Sequence, residues 1–359
     1  MANLARLRLG DFRVYESLRL DLAPGINLLV GDNGAGKTTI LEAIHFLCLL
    51  RSFRTRQTQQ LKRWEQSEFV VSGQLAGQKE TKMGVRLAER RELRLNGEAV
   101  SRASEFICQY HCVPFLPSDQ ELIRGPGSVR RRFLDVQLCQ LRPSYLQALS
   151  IYGQAMKQRN VLLRSSQPDV RLFAAYEKQM AREAAEILAA RRAYVAELQG
   201  YLSARAEQIL GNEATRAVYR GCKADSEDAL RRALADGRSR DMVRGFTQTG
   251  PHRDDIIMTR GGRSLANFGS EGQCRGTAVA LRMAATDCLL AQRQEQIPVV
   301  LLIDDVTGDL DGTRKALFLD LLSEVDQAVV AATDCALVEQ LRPRVVMRVS
   351  NGTVSTIDG

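Results

Sequence analysis

Glycines, a lysine and a hydroxyl stand near the N-terminus at a spacing that suits phosphate binding. The residues follow the pattern G-x-x-x-x-G-K-T, between the apolar run 26–30 and the helix-like segment 40–44. Glycines let backbone N–H groups wrap around phosphate oxygens, the lysine reaches the terminal phosphates, and the hydroxyl binds Mg²⁺. A helix that begins at the lysine adds its unpaired N–H groups and its dipole. The pattern predicts a nucleoside triphosphate site formed by Gly31, Asp32, Asn33, Gly34, Ala35, Gly36, Lys37, Thr38 and Thr39.

Two carboxylates end an apolar run late in the chain. The run 298–303 is followed by Asp304 and Asp305, as expected of a buried parallel strand that delivers acids to a site at its carboxyl end. An unpaired carboxylate at the end of a buried strand is costly, so we expect a metal or a cationic partner for Asp304. Before this run, Gly-Ser-x-Gly-Gln at 269–273 opens a helix, and a helix N-terminus is a natural site for an anion.

Short strands surround these candidate residues. Alternating apolar and polar residues predict strands at 4–9 and 18–22, and a helix follows the phosphate loop. Further strands are predicted as an antiparallel sheet next to the nucleotide core, closed by the hairpin dipeptide Asn96-Gly97. The remaining strands of the core are predicted at 256–259, 328–332, 345–349 and 354–357.

Helical spacing of apolar residues marks a second body. Leu146, Leu149, Met156 and Leu163 fall on one face, 165–168 interrupt the pattern, and it resumes at Leu172. We predict a pair of long antiparallel helices, the second of about 35 residues and about 50 Å, which would form a short arm. The fold class is therefore α/β, an ATPase head with a mixed sheet plus a helical lobe. The predicted boundaries are 1–125 and 246–359 for the ATPase lobe and 126–245 for the helical lobe.

Composition favours a protein without membrane spans. No run approaches the roughly 18 consecutive apolar residues of a transmembrane helix, and the N-terminus begins with strand-like alternation instead of a signal segment. The chain is therefore expected in the cytoplasm with no membrane partner. The eight cysteines are scattered in mostly apolar surroundings, as in proteins of a reducing compartment. Cys108 and Cys112 have no second ligand pair at matching spacing, so we do not expect zinc.

A net charge of +8 indicates a polyanionic partner. Arginine carries most of this charge, which suits phosphate recognition, although a GC-rich genome produces the same excess without any function. One cluster, in 51–63, contains no acid, and a second lies at 130–132. The second cluster is equally well explained as a solvated loop face. The candidate DNA contacts are Arg51, Arg54, Arg56, Lys62, Arg63, Arg130, Arg131 and Arg132.

The motifs occur in the order typical of ABC-type ATPases: phosphate loop, Gly-Ser-x-Gly-Gln, the two acids and then 308–311. This resemblance implies that Lys37 holds the β- and γ-phosphates and that Thr38 and Asp304 hold Mg²⁺. It further implies that Asp305 orients the attacking water, so that Lys37 and Asp305 are the catalytic residues. In a head-to-tail homodimer, residues of one copy would cap the ATP bound to the other, namely Ser270, Gly272 and Gln273.

The long segment between Lys37 and Ser270 holds the paired helices and resembles an SMC-type head whose coiled coil is cut short. Over its whole length the chain is similar to the RecF family of bacterial recombination proteins, on the strings 11–13, 51–54, 130–135, 157–160 and 250–255. The resemblance implies a weak Mg²⁺-dependent ATPase that acts as a switch in DNA replication, repair, recombination and the SOS response. It implies ATP-dependent dimerisation, binding to duplex DNA next to single-stranded gaps, and recombinase loading with RecR and RecO.

Some positions depart from the ABC pattern. Asp305 stands where most transporter ATPases carry Glu, and Thr333 stands where they have a histidine, so we expect slow turnover. Either Asp119 or Gln120 is the candidate for the glutamine-loop residue. Glu271 replaces a residue that is usually Gly or polar, and the direction of its carboxylate is left open.

Two other functions compete with an ATP-switched DNA clamp. A transporter motor needs a surface for docking to a membrane domain and has a much shorter segment between phosphate loop and Gly-Ser-x-Gly-Gln. An SMC-type ATPase head serving a nuclease or a chromosome-organising complex is the closer alternative, and the short arm argues against it. We therefore predict the DNA clamp.

Overall fold

The computed structural model describes residues 2–77, 80–167, 169–224, 226–294, 297–304, 312–333 and 341–357, with only the backbone at 312–315. Within these ranges no helix is both long enough and apolar enough to cross a membrane. The chain divides into two compact units. The first comprises Met1–Asp119 and Ala285–Gly359, and the second comprises Gln120–Ala284.

A mixed sheet forms the centre of the first unit, as predicted. In the described part of the chain its strand order is β15-β14-β3-β13-β12-β8, and all neighbours are parallel except β14 and β15. Its inner strands are continuous apolar runs because parallel strands are covered on both faces. The strands are β3 (Gly25–Val30), β8 (His111–Phe115), β12 (Val299–Asp304), β13 (Gln327–Ala332), β14 (Val345–Ser350) and β15 (Thr353–Ile357).

The predicted antiparallel sheet is the other layer of this unit. Its order is β2-β1-β4-β5-β6-β7 over the residues described. Alternate residues such as Leu7, Val71 and Val85 are buried, and the residues between them are more exposed. The strands are β1 (Asn3–Phe12), β2 (Tyr15–Asp21), β4 (Phe69–Ala76), β5 (Thr81–Leu87), β6 (Arg91–Leu95) and β7 (Glu98–Val100). The helices of this unit are α1 (Lys37–Leu49), α2 (Ala103–Ile107) and α11 (Gly312–Glu324).

The second unit is mainly helical and also contains a small sheet of order β11-β10-β9. Its elements are α3 (Glu121–Arg124), α4 (Gly127–Leu141), α5 (Pro143–Leu163), α6 (Val170–Leu210), β9 (Thr215–Arg220), α7 (Glu227–Asp236), α8 (Arg238–Arg244), β10 (Asp255–Arg260), β11 (Arg263–Ser264), α9 (Leu265–Phe268) and the start of α10 (Glu271–Gln292).

The division into units differs from the boundaries inferred from sequence, which ended the helical lobe at 245. Strand β10 pairs along its whole length with β9, from Asp255 opposite Arg220 to Arg260 opposite Thr215. Because β9 follows α6 directly, this pairing joins the segment after 245 to the helical unit. Pairing between distant strands is not visible in local sequence patterns.

Helices α5 and α6 pack against each other as the predicted arm. Helix α6 has 41 residues, about 60 Å at 1.5 Å per residue. The buried face of α5 is one residue off the predicted one, since Tyr145, Tyr152 and Arg159 are buried and Leu146 and Leu149 are only half-buried. Leu163 is buried as predicted. The first part of the face is shifted because Tyr145, Ala148, Tyr152 and Ala155 follow the same helical spacing one residue earlier.

Two buried arginines hold the second unit together. Arg159 is fully buried and lies 3.1 Å from Glu177 and 2.7 Å from Asp241. Arg191 lies 2.7 Å from Asp135 and 3.1 Å from Asp254. Removing one partner of a buried ion pair typically costs about 3–5 kcal/mol because a charge is left uncompensated. These residues of 130–135, 157–160 and 250–255 therefore stabilise the unit.

Candidate nucleotide site

The phosphate loop connects β3 to α1 with a backbone that only glycine suits at two positions. Gly36 has φ 113°, and an added Cβ would lie 2.5 Å from the Tyr15 hydroxyl. At Gly31 a Cβ would lie 2.1 Å from the carbonyl oxygen of Val349. The loop is therefore shaped by the fold around it, which leaves its backbone amides able to approach a ligand closely.

Lys37 lies across this loop and is almost fully buried, with 7% exposure. Its Nζ donates hydrogen bonds to the carbonyl oxygens of Gly31 and Asp32, the latter at 2.9 Å. No side chain caps the N-terminus of α1, so the first N–H groups of this helix remain for a ligand. Together the ammonium group and the helix N-terminus form a site for phosphate groups.

Thr38 and Asp304 come together although they are far apart in sequence. The Thr38 hydroxyl donates to Oδ1 of Asp304 at 2.9 Å. They meet because β3 and β12 are both parallel neighbours of β13 and their carboxyl ends lie at one edge of the sheet. A hydroxyl and a carboxylate are the oxygen ligands that Mg²⁺ takes from a protein when phosphates and water complete its coordination. The donor set therefore fits Mg²⁺.

The remaining acids predicted for this site lie outside the described residues. These are Asp305 and the segment 308–311. Thr333, which stands at the usual histidine position, follows the end of β13 and is exposed. Among the described residues no group of three or more His, Cys, Asp or Glu side chains could hold a metal ion.

Two buried residues that the sequence analysis did not single out are Tyr15, which contacts the loop, and Glu42, which lies in the helix that follows it. The Tyr15 hydroxyl donates to the carbonyl oxygen of Gly36 at 3.2 Å, and burial raises the pKa of Tyr15, which keeps it a neutral donor. Glu42, fully buried one turn after Thr38, accepts two hydrogen bonds from Arg13 at 2.8 and 3.0 Å. An acid in an otherwise apolar helix was the sequence signal for Glu42, whereas Tyr15 gave none.

Of the two glutamine-loop candidates, Asp119 already accepts a hydrogen bond within the protein. Its carboxylate accepts the Leu116 amide at 2.9 Å, and the residue is buried. Gln120 is half-buried at the end of the same short helical turn. This arrangement favours Gln120 as the residue that can reach a ligand.

Ser270, in the second unit, begins α10 with a reciprocal cap. Its Oγ accepts the Gln273 amide at 3.2 Å, while the Gln273 side chain accepts the Ser270 amide at 2.9 Å. Such a capping box satisfies two otherwise unpaired donors. Ser270 and Gly272 are exposed, and the Ser270 O–H can still donate to an outside acceptor. The predicted trans residues therefore lie together at one exposed helix end.

Glu271 lies in the same helix turn, and its carboxylate binds Arg275 at 2.7 Å. Both side chains are exposed, at 63% and 42%. Its partner is thus a neighbouring side chain on the same helix.

The first basic cluster is partly used by the protein itself. Arg63 binds Asp11 at 2.7 Å, and the Lys62 Nζ donates to backbone carbonyls of Ser67 and Ala88. Arg54 lies 3.6 Å from Glu42 and is half exposed. The remaining members of this cluster, Arg51 and Arg56, are exposed.

The second basic cluster is more deeply engaged. Arg130 is buried and makes two hydrogen bonds to Asp255, at 2.7 and 2.8 Å, plus one to the Gly125 carbonyl at 2.7 Å. Arg131 donates to the carbonyl oxygen of Asp254, and Arg132 is half-buried. Arg130 therefore holds α4 to the start of β10, which a loop face or a DNA contact would not require.

Comparison with known proteins places this geometry in context. Residues 6–190 match the AAA domain family. The chain is 34% identical over 337 residues to the DNA replication and repair protein RecF of Leptospira interrogans serovar Lai, with 92% of each chain covered. It is 32% identical over 358 residues to the protein of the same name from Lactococcus lactis subsp. cremoris MG1363, with 98% of each covered.

Solved structures give a consistent result. The recombination mediator protein RecF-ATP of the RecFOR pathway superposes with a TM-score of 0.90 at 25% identity, covering 99% of this chain and 98% of that one. The Smc head domain with an extended coiled coil from Pyrococcus furiosus gives a TM-score of 0.56 at 15% identity, covering 99% and 96%. The second likeness concerns the fold alone.

Proposed function

The chain belongs to the RecF family of DNA replication and repair proteins, and from that premise we propose that it is an ATP-switched DNA clamp of recombinational repair. ATP joins two copies head to tail. The dimer holds duplex DNA next to a single-stranded gap, and RecR and RecO then help to load recombinase there. The observation that supports the proposal is the hydrogen bond between Thr38 and Asp304 next to the buried Lys37, a set of groups that suits ATP phosphates and Mg²⁺.

In the nucleotide site, Lys37 exchanges its two carbonyl partners for the β- and γ-phosphate oxygens of ATP. The exchange is favourable because the ammonium group is attracted more strongly to negatively charged phosphate oxygens than to neutral carbonyl oxygens. Thr38 and Asp304 would hold Mg²⁺, which supplies neutralisation of the phosphate charge. Tyr15 keeps the loop in shape through the Gly36 carbonyl.

In this proposal, the rate of ATP hydrolysis sets how long the ATP-bound state lasts. Asp305 orients the attacking water, and its side chain is one methylene shorter than the glutamate of most transporter ATPases. Thr333 stands where those enzymes have a histidine. Both changes weaken positioning of the water, so the ATP state is long-lived and the protein is a slow, Mg²⁺-dependent ATPase.

Dimerisation follows from the exposed start of α10. The Ser270 hydroxyl, with Gly272 and Gln273, contacts the γ-phosphate bound to the other copy. A helix N-terminus favours that anion through its dipole and its unpaired amides. ADP has no γ-phosphate and would release the contact. The protein would act in the cytoplasm.

The alternative is an SMC-type head serving a nuclease or a chromosome-organising complex. Its support is the likeness of fold to the Smc head domain. Against it stands the arm, because a 41-residue helix is much shorter than a supercoil turn of about 150 Å in a two-stranded coiled coil. We therefore favour the DNA clamp.

Light scattering of the purified protein with no nucleotide, with ADP and with ATP tests the proposal, each repeated with gapped duplex DNA. We expect a monomer without nucleotide and with ADP, and a dimer with ATP that also binds the DNA. A mass that does not respond to ATP contradicts the switch. ATP-dependent dimerisation without any DNA binding favours the alternative.

A further inference from the structure

The antiparallel sheet of the first unit has one buried face and one open face. On the open face, the strand register aligns five residues across five strands. Arg19 lies opposite Arg8, Arg8 opposite Ser72, Ser72 opposite Gly84, and Gly84 opposite Arg94. Directly opposite residues point to the same side of a sheet, so the three arginines form one row with two small residues between them.

Most other charges on this face are compensated. Arg6 binds Asp21 at 2.7 Å, Arg86 binds Glu68 at 2.6 Å, and Lys82 lies 3.4 Å from Glu80. Arg8 and Arg94 are exposed, and over the residues that the structure describes neither forms an ion pair with an acid. Arg19 lies 3.8 Å from Asp21, so the positive charge that the described residues do not neutralise belongs to Arg8 and Arg94.

The pKa of Asp21 is lowered by the same group of arginines. A hydrogen bond from Arg6, followed by the charges of Arg6, Arg19 and Arg8, lowers the pKa of its carboxyl group. Three arginines therefore share the negative charge of one carboxylate. Arg8 and Arg19 also lie directly opposite each other, and like charges in that position destabilise a sheet. Unfavourable contacts such as this pair of like charges, in a sheet whose other features agree with its fold, are expected at functional sites.

The middle of the row is a trough with a volume of about 340 Å³, lined in part by Arg6, Arg8, Ser72, Gln74 and Lys82. The small side chain of Ser72 lies beside Gly84, where an added Cβ would meet only the Arg94 side chain, at 3.9 Å. Arg8 and Arg94 are three strands apart, about 14 Å at a strand spacing near 4.8 Å. The trough is therefore bordered by Arg6 and Arg8 on one side and by Lys82 on the other, and Arg94 lies beyond it on β6.

The side chains on this face distinguish between single-stranded and duplex nucleic acid as the polyanionic partner. Single-strand binding relies on aromatic side chains on which bases stack, and none of the exposed residues on β1, β2, β4, β5 and β6 is aromatic. Contacts to a phosphate backbone need only cations and small polar groups. A groove of duplex DNA, about 12 Å or about 6 Å wide, places phosphates at separations that two long arginines 14 Å apart can reach.

We propose that this open face binds the phosphate backbone of duplex DNA, with Arg8 and Arg94 as phosphate ligands and Arg19 and Lys82 beside them. The proposal rests on the DNA-binding function proposed above and assigns it to a surface. It differs from the assignment by sequence clusters, because Arg130 is buried against Asp255. Arg8 and Arg94 lie on a sheet face and belong to neither of the two sequence clusters.

The test measures binding of a fluorescent mixed-sequence duplex to the full chain with ATP, across a series of salt concentrations. The variant is Arg8→Gln with Arg94→Gln. The matched control, Arg231→Gln with Arg232→Gln, removes the same charge from the exposed helix α7. Each lost phosphate contact lowers the slope of log K against log salt by about 0.9. We expect a slope smaller by about two and affinity reduced roughly 50-fold at 0.1 M salt, with the control close to wild type.

The outcomes separate this proposal from the proposed function. If the wild type binds duplex DNA and the Arg8 and Arg94 variant keeps its slope, the surface assignment is overturned while DNA binding stands. Equal losses in variant and control point to net charge and also overturn it. A wild type that binds no duplex overturns both. Thermal unfolding and ATP binding are measured for each variant, and Arg8→Lys with Arg94→Lys should recover most of the slope, which a misfolded sheet would not.

Discussion

The two helix N-termini assigned to phosphate contacts are built differently. The start of α1 has no side-chain cap, glycines with positive φ and a buried lysine whose Nζ donates to loop carbonyls. The start of α10 is closed by the reciprocal bonds of Ser270 and Gln273 and lies exposed. No side chain caps the first end, so backbone N–H groups there remain for a ligand. The second end has a side-chain cap that satisfies two amides without a bound anion.

The largest effect should come from the first end. Lys37→Met removes the main cationic contact of the phosphates, and we expect ATP affinity to fall at least roughly 10-fold, since a hydrogen bond to a charged group contributes about 1.5–3 kcal/mol. ATP-dependent dimerisation and DNA binding should disappear with it. Calorimetric titration with ATP measures the loss, and Lys178→Met on the exposed side of α6 is the control. Unchanged ATP affinity would remove Lys37 from the site.

Glycine substitutions compare the two ends directly. Gly36→Ala places a Cβ against Tyr15 at φ 113°, so we expect about 1–3 kcal/mol of strain together with loss of ATP binding. An added Cβ at Gly272 meets nothing within 4 Å, so Gly272→Ala should leave the monomer stable and able to bind ATP. The ATP-dependent dimer of the Gly272→Ala variant should be weaker than that of the wild type. Chemical denaturation and ATP titration of both variants measure the difference. Equal stability and equal ATP affinity of the two variants would contradict the difference between the two helix ends.

Substitution of the metal ligand should affect only the first end. Asp304→Asn removes the carboxylate that faces the Thr38 hydroxyl, and we expect ATP binding to need more Mg²⁺ than in the wild type. Asp305→Asn should instead preserve ATP binding and lengthen the life of the dimer, because it impairs only hydrolysis. Titration of Mg²⁺ at constant ATP, followed by sedimentation, distinguishes them. The same loss of ATP binding in both variants would show that these roles are misassigned.

At the second end, Ser270→Arg should block dimerisation while ATP binding by the monomer stays within about twofold. The substitution also removes a cap, which costs about 1 kcal/mol. Ser270→Asp separates the two effects, because aspartate caps a helix as well as serine does but repels a phosphate. We expect it to keep its stability and still fail to dimerise in sedimentation with ATP. Normal dimerisation of both variants refutes a site formed in trans.

The smallest effect is expected at Glu271. Its carboxylate faces Arg275, and an exposed pair at this helical spacing contributes about 0.2–0.5 kcal/mol. Glu271→Gln should therefore change the stability of the ATP dimer little, as measured by sedimentation over a range of concentrations. Dimerisation that becomes about tenfold tighter would show that the carboxylate turns to the γ-phosphate when the second copy binds.

Local patterns in the sequence predicted the strands around the phosphate loop, the antiparallel sheet and the helical arm well. They did so because apolar periodicity and glycine spacing are properties of neighbouring residues. They placed the first part of the buried face of α5 one residue off, did not include Arg159 in it, and gave no reason to notice Tyr15. Charged and aromatic residues that are buried by distant partners leave no periodic signal.

The sequence by itself determined the phosphate loop, because the spacing of Gly31, Gly36 and Lys37 within one short segment is the chemistry of the site. Only the tertiary structure decided which arginines are open. A run such as 130–132 is conspicuous in sequence, yet Arg130 is neutralised by Asp255, more than a hundred residues away. Arg8, Arg19 and Arg94 are inconspicuous in sequence and form one row through strand register, in which Arg8 and Arg94 pair with no acid of the described residues. Charge compensation depends on distances in space, which sequence separation does not contain.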